Sequence, residues 1–187
     1  MKTWNIAILC FLFVGVLVLG FSLKKYLEYP YQKVRFSDTL YEKERAVVRQ
    51  MFAEDISESK RVIGFDDIDI SIAKYDLNQD GIKDIFVMLN GRSFCGSQGC
   101  WTMIYIIDKR GFWHKAYDFN TYPLWGISSR KHNGYFDLVR VGPVDGQPIS
   151  DCFLLKYEWK NGHYEGGIGY RKLNKRDLEV FKDEILR

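Results

Sequence analysis

Three tripeptides, Lys109-Arg110-Gly111, His132-Asn133-Gly134 and Lys160-Asn161-Gly162, each interrupt a stretch rich in aromatic and β-branched residues. Asn-Gly supplies two successive residues that tolerate positive φ, which the two-residue turn of a right-twisted hairpin demands. Strands punctuated in this way pair antiparallel with their neighbours in sequence, because a parallel pair needs a crossover of about a dozen residues or more. The spacing therefore predicts hairpins over 102–119, 124–141 and 152–167, laid down as a meander.

Upstream, Ile68, Ile70 and Ile72 alternate with Asp69, Ser71 and Ala73, the period of a strand burying one face. Asp84–Leu89 and Trp101–Asp108 are short apolar runs of strand length, so strands are expected to dominate from 67 to about 165. A helix is expected on each side. Ser37 or Asp38 can cap 39–55, where Leu40, Ala46, Val47 and Met51 recur at roughly helical spacing. Asn174 can cap 175–187, where Leu178, Phe181, Ile185 and Leu186 form an apolar stripe able to cover the sheet. The expected fold class is α+β, a mainly antiparallel β-meander domain flanked by an N-terminal and a C-terminal helix.

Ahead of this domain the chain is apolar from about Ile6 to Leu23, between Lys2 and the pair Lys24 and Lys25. About 18 residues at about 1.5 Å each reach across the hydrocarbon of a bilayer, whereas the apolar heart of a cleavable signal is usually about 7–15 residues long. The expected organisation is a signal-anchor transmembrane helix over 1–25, a juxtamembrane spacer near the lipid headgroups over 26–36, and one β-rich extracytoplasmic domain over 37–187. Cleavage after Val18-Leu19-Gly20 is the competing reading, and it too implies export. Lys24, Lys25, Lys33 and Arg35 all follow the span and by charge bias alone would hold that side in the cytoplasm. The acidic loop and the cysteine pair argue for the opposite orientation.

From Asp76 to Asp84 the chain reads Asp-Leu-Asn-Gln-Asp-Gly-Ile-Lys-Asp, with oxygen-bearing side chains at alternate positions around one glycine. Calcium takes about six to eight oxygens, and the glycine permits the sharp reversal that lets alternating side chains converge. Asp76, Asn78, Asp80 and Asp84 are candidate side-chain ligands, with Ile82 offering its carbonyl oxygen. An EF-hand is excluded: its twelfth position, a bidentate glutamate, is Val87 here, and both flanks carry strand patterns. The expected calcium affinity is moderate or weak. An ion-free Asx turn through Asn78, Asp80 and Gly81 is the alternative, and it leaves the repulsion among the three aspartates uncompensated.

Cys95 and Cys100 enclose Gly96-Ser97-Gln98-Gly99, a segment supple enough for a disulfide to close a small ring in an oxidising compartment. So short a ring contributes at most about 2 kcal/mol, so its benefit is local rigidity. Zinc would need further ligands at suitable spacing. Cys152 lies in an apolar run, as a buried thiol or as an alternative partner for Cys95 or Cys100.

A net charge of only +3 gives no basic footprint, so nucleic acid is not an expected partner. His114, His132 and His163 are scattered, no serine or cysteine stands in the context of an activated nucleophile, and no catalytic residue is assigned. Trp101, Trp113, Trp125 and Trp159, together with Tyr105, Tyr117, Tyr135 and Tyr157, fit sheet core and cross-strand pairs better than a ligand platform.

Taken in order, Tyr75–Val87, Phe94–Cys100, Ser128–Val139 and Tyr157–Glu165 resemble small exported bacterial proteins with one calcium loop of the FG-GAP or VCBS type and a CGSxGC cysteine loop. The resemblance spans roughly 67–165 and implies a β-rich domain, export, and Ca²⁺ held by Asp76, Asn78, Asp80, Asp84 and the Ile82 carbonyl. It implies a single-pass protein of the bacterial inner membrane, its C-terminal domain in the periplasm or outside the cell, and it implies no reaction. Two functions are expected. The first is a membrane-anchored calcium-binding module of the envelope with a non-enzymatic role toward an envelope protein. The alternative is a periplasmic inhibitor or immunity protein acting on a peptidoglycan hydrolase through the Cys95–Cys100 loop, by similarity to lysozyme inhibitors that project a disulfide-closed loop into an enzyme cleft.

Overall fold

In the structure, a computed structural model, residues 31–63, 68–97, 99–122, 124–142 and 152–181 are described. The Asn-Gly turns adopt the left-handed geometry their composition favours, with φ of 49° and 89° at Asn133 and Gly134 and of 50° and 84° at Asn161 and Gly162. They join β7 (Trp125–His132) to β8 (Tyr135–Gly142) and β9 (Phe153–Lys160) to β10 (His163–Lys172). The third turn, between β5 (Gly99–Ile107) and β6 (Trp113–Thr121), is organised by Asp108, whose carboxylate accepts from the N–H of Arg110 (2.8 Å) and Phe112 (3.0 Å). All three expected hairpins are present.

The strands divide between two antiparallel sheets. One has the order β2-β3-β5-β6, with β2 (Asp69–Tyr75) and β3 (Asp84–Asn90) preceding β5, and the two-residue β4 (Cys95–Gly96) beside β5 beyond the end of β3. The other has the order β1-β7-β8-β9-β10, so the expected meander is in fact two, and β1 (Tyr31–Lys33) adds to the second. Their facing sides share a core of Leu77, Phe86, Ile104, Trp125, Leu138 and Tyr157. Trp125 is fully buried there, as its place in a strand pattern suggested.

The first sheet is apolar on its outer face too. Ile70, Ile72, Val87, Leu89 and Met103 pack there against α1 (Glu42–Met51) and α2 (Ala53–Ile63), which explains why Asp84–Leu89 is an unbroken buried run. The N-terminal helix departs from expectation in two respects. Its N-cap is Tyr41, in left-handed geometry without a side-chain cap bond, while Ser37 Oγ closes a separate turn by accepting from the N–H of Leu40 (3.0 Å). The buried face is shifted by one residue: Val48 is buried among Tyr41, Phe52 and Ile56, whereas Leu40, Val47 and Met51 are 59%, 42% and 48% exposed. The shifted face carries the bulkier side chains and removes more apolar surface from water.

On the second sheet's outer face Leu124, Val139, Val141 and Leu154 meet Phe181, which follows the short α3 (Lys175–Val180). Asn174 caps α3 as expected, in a reciprocal box with Asp177. Leu178 is exposed instead of buried, and Ile185 and Leu186 lie outside the described residues.

The stretch expected as a spacer enters the fold. Among the described residues, Tyr31–Lys33 pairs with β7, Val34 is buried, its N–H donates to Trp125 O (2.8 Å), and Ser37 bridges to Ile72. Tyr31 to Ser37 therefore stitches β1 of one sheet to β2 of the other. The expected span from Ile6 to Leu23 lies outside the described residues, and among the described residues no helix is long and apolar enough to cross a membrane.

Candidate functional site

The acidic loop joins β2 to β3, whose last rung sets Tyr75 opposite Asp84. The chain reverses through Gln79 (φ 63°) and Gly81 (φ 87°), and fully buried Leu77 anchors the loop in the core between the sheets. The polar side chains turn back on the loop's own backbone. Asp76 accepts from the N–H of Asp80 (3.2 Å) and Gly81 (2.9 Å), Asn78 from Asp80 (3.0 Å), and Asp80 from Ile82 (2.8 Å).

Asp84 is fully buried and accepts from the N–H of Leu77 (2.9 Å) and, across the sheet, of Ile107 (3.0 Å). Burial pushes its carboxyl up to about 6; the two N–H bonds oppose that rise, and the charges of Asp80 and Asp76 add to it. Among the described residues none of these three aspartates has a lysine or arginine ion-pair partner. The loop therefore gathers three carboxyl groups that no ion pair answers among the described residues, Lys83 within it included. Each oxygen that accepts one N–H keeps a second lone pair, so the donor set suits a hard cation. The three carboxylates do not form a group with atoms within 4.8 Å of one another, so an oxygen shell would require side chains of the loop to move.

The described residues contain one group of three His, Cys, Asp or Glu ligands with atoms within 4.8 Å of one another: His132, Asp137 and Glu158. It adjoins the acidic loop, because the β7–β8 hairpin grips that loop through Phe136 N–H to Leu77 O (2.8 Å) and Lys131 Nζ to Gln79 Oε1 (2.5 Å). His132 Nδ1 lies 2.5 Å from Asp137 Oδ1, and Nε2 lies 3.6 Å from Glu158 Oε1. Lys156 Nζ stands 2.5 Å from Glu158 Oε1 and 3.5 Å from Asp137 Oδ2, a buried oxygen with no hydrogen bond. Lys156 foremost, with Lys160, holds the Glu158 carboxyl down to about 2 against its burial. An ammonium thus supplies the positive charge here, and a metal would have to displace it. Composition hid this group. The pairing of β8 with β9 gathers it: Leu138 lies opposite Tyr157, each one residue from Asp137 and Glu158, and because these strands belong to different hairpins no local signal in the sequence set that register.

Cys95 and Cys100 face each other as a disulfide pair, Cα to Cα 3.9 Å, in the β4–β5 hairpin. Gly99, at φ 101°, lies so close to Thr121 that a Cβ would come within 2.3 Å of its backbone, and Tyr122 Oη donates to Ser97 O (2.8 Å). The ring is thus clamped from the end of β6, while Gly96 and Ser97 remain exposed. Cys152 is half-buried and is not part of this disulfide.

No family model, curated protein or solved structure matches the chain. Function must be argued from these sites alone. His114 pairs with Asp108 and His163 with Glu165, so among the described residues every histidine faces carboxylates and none bonds a serine, threonine or cysteine.

Proposed function

We propose that the chain is a membrane-anchored, extracytoplasmic calcium-binding module of the bacterial envelope, non-enzymatic, presenting its strands and loops to an envelope protein. The apolar run from Ile6 to Leu23 would be the tether, spanning the inner membrane once with the domain in the periplasm or outside the cell. The supporting observation is electrostatic: Asp84 is held fully buried beside Asp76 and Asp80, and among the described residues none of the three has a lysine or arginine ion-pair partner, although backbone N–H groups of the loop and of Ile107 already bond their oxygens. An Asx turn needs only Asn78, Asp80 and Gly81, so the additional negative charge gains a reason if Ca²⁺ enters.

Calorimetric titration of the full-length chain with Ca²⁺ tests this. Binding with a Kd of about 0.1–1 mM is expected, weakened at least about tenfold in Asp80→Asn. No heat above dilution would reject the calcium assignment.

The clamped Cys95–Cys100 ring favours one second reading, that of an inhibitor or immunity protein acting on a peptidoglycan hydrolase, because a rigid exposed loop loses little entropy on entering a cleft. Hydrolase inhibition by the native chain, lost in Ser97→Trp, would support it, and absence of inhibition would remove it.

A further inference from the structure

β6 and β10 are the outer strands of their sheets, and between them opens a pocket of about 540 Å³, a size that suits a small organic ligand. Arg140 lines it from β8, half-buried, and among the described residues no aspartate or glutamate pairs with it. Its Nε donates to Tyr157 Oη (3.0 Å) and its guanidinium carbon lies 5.9 Å from the centroid of that ring, contacts that orient the group without supplying a negative charge. A guanidinium cannot shed its proton, so a partly desolvated one without a counter-ion is a standing demand for an anion.

The surroundings are shaped around that side chain. A Cβ on Gly142 would lie 2.5 Å from Arg140 Nη1, and one on Gly166 would lie 1.6 Å from the Tyr157 ring, so two glycines leave the room that the Arg140–Tyr157 pair occupies. Tyr117 packs edge-on against Tyr157 with ring centroids 5.4 Å apart, and Phe119, also in the lining, is 61% exposed. Asp118, the one carboxylate in the lining, is already answered by Lys115 Nζ (2.6 Å) and by the Trp101 indole N–H. The pocket thus joins a guanidinium without a carboxylate partner to one exposed ring, Phe119, beside the part-buried Tyr117 and the buried Tyr157.

We infer that the pocket between β6 and β10 binds a ring-bearing carboxylate, its carboxylate on the Arg140 guanidinium and its ring against Tyr117, Tyr157 and Phe119. The carboxylate could belong to a free aromatic acid or to the aromatic C-terminal residue of a peptide, and the recognition chemistry is the same.

The full-length chain, in detergent with ¹³C-labelled tyrosine rings, is titrated with benzoate and N-acetylphenylalanine and, as neutral controls, with benzamide and N-acetylphenylalaninamide. Saturable shifts of Tyr117 and Tyr157 are expected with at least one acid, about tenfold or more tighter than with its amide. Preference for benzoate identifies a free acid, and preference for N-acetylphenylalanine a peptide end. Arg140→Gln should abolish the difference between acid and amide, and Arg140→Lys should keep part of it. The acid–amide comparison on the unaltered chain decides the matter even if Arg140→Gln fails to fold. Equal affinity for acid and amide, or no shift with either acid at about 10 mM, overturns the proposal.

Discussion

At Asp84 two backbone N–H groups hold a carboxylate that burial and two neighbouring charges push toward protonation. Its carboxyl titrates near 3.8 in the unfolded chain and near about 6 in the folded one. Between those values the folded chain keeps a proton that the unfolded chain has lost, so this group's contribution is complete below about 3.8 and fades as pH rises to about 6. The effect is on the order of 3 kcal/mol. Glu158 acts in the opposite sense: its stabilisation is present above its ordinary 4.5 and is lost as pH falls toward about 2. From these two groups the calcium-free chain should be most stable near about pH 4, where the Asp84 loss and the Glu158 gain balance, and Ca²⁺ should shift the optimum upward, as thermal unfolding against pH would show. Glycine substitutions give a second test at this scale. Gly99→Ala should cost about 3 kcal/mol or more, because its positive φ and its contact with Thr121 both oppose a side chain, while Gly96→Ala, with open space around it, should be nearly neutral. The alternating oxygens of the loop were visible in sequence. The bond from Ile107 N–H to Asp84 was not, because it joins residues 23 positions apart through strand pairing.

Turns and caps are local, which is why the Asn-Gly hairpins and the Asn174 cap could be anticipated from a few residues each. Asn174→Ala should destabilise the chain by about 1 kcal/mol, read from denaturant unfolding. In that capping box burial alone would raise the Asp177 carboxyl, but Arg171, Asn174 N–H and Tyr31 Oη hold it below the ordinary carboxylate range. The buried face of α1 was harder to anticipate, since two stripes one residue apart both carry apolar side chains and only contact with β2, β3 and β5 selects between them. Val48→Ala should cost about 2 kcal/mol and Val47→Ala well under about 1, the reverse of what a Leu40–Val47–Met51 interface would give.

Across the described residues, two sheets share a core, the first carries α1 and α2 on its outer face and the second α3, and Tyr31 to Ser37 laces their edges together. Pairing between neighbouring strands follows from turn chemistry, but the division into two sheets depends on how apolar faces stack, which no short window of sequence records. That stacking brings the β7–β8 hairpin onto the acidic loop, linking candidate ligands on one sheet to Leu77 and Phe136 between the sheets. A cation bound at the loop should accordingly stabilise the whole domain cooperatively. The most direct test is thermal unfolding of the full-length chain, followed by circular dichroism, without Ca²⁺ and with about 10 mM Ca²⁺. With a Kd near about 0.1 mM the gain is about 2.7 kcal/mol, so Tm should rise by roughly 5–11 °C in the native chain and by little in Asp80→Asn. An unchanged Tm, or an equal rise in both chains, would contradict a calcium site at Asp76, Asn78, Asp80, Ile82 and Asp84.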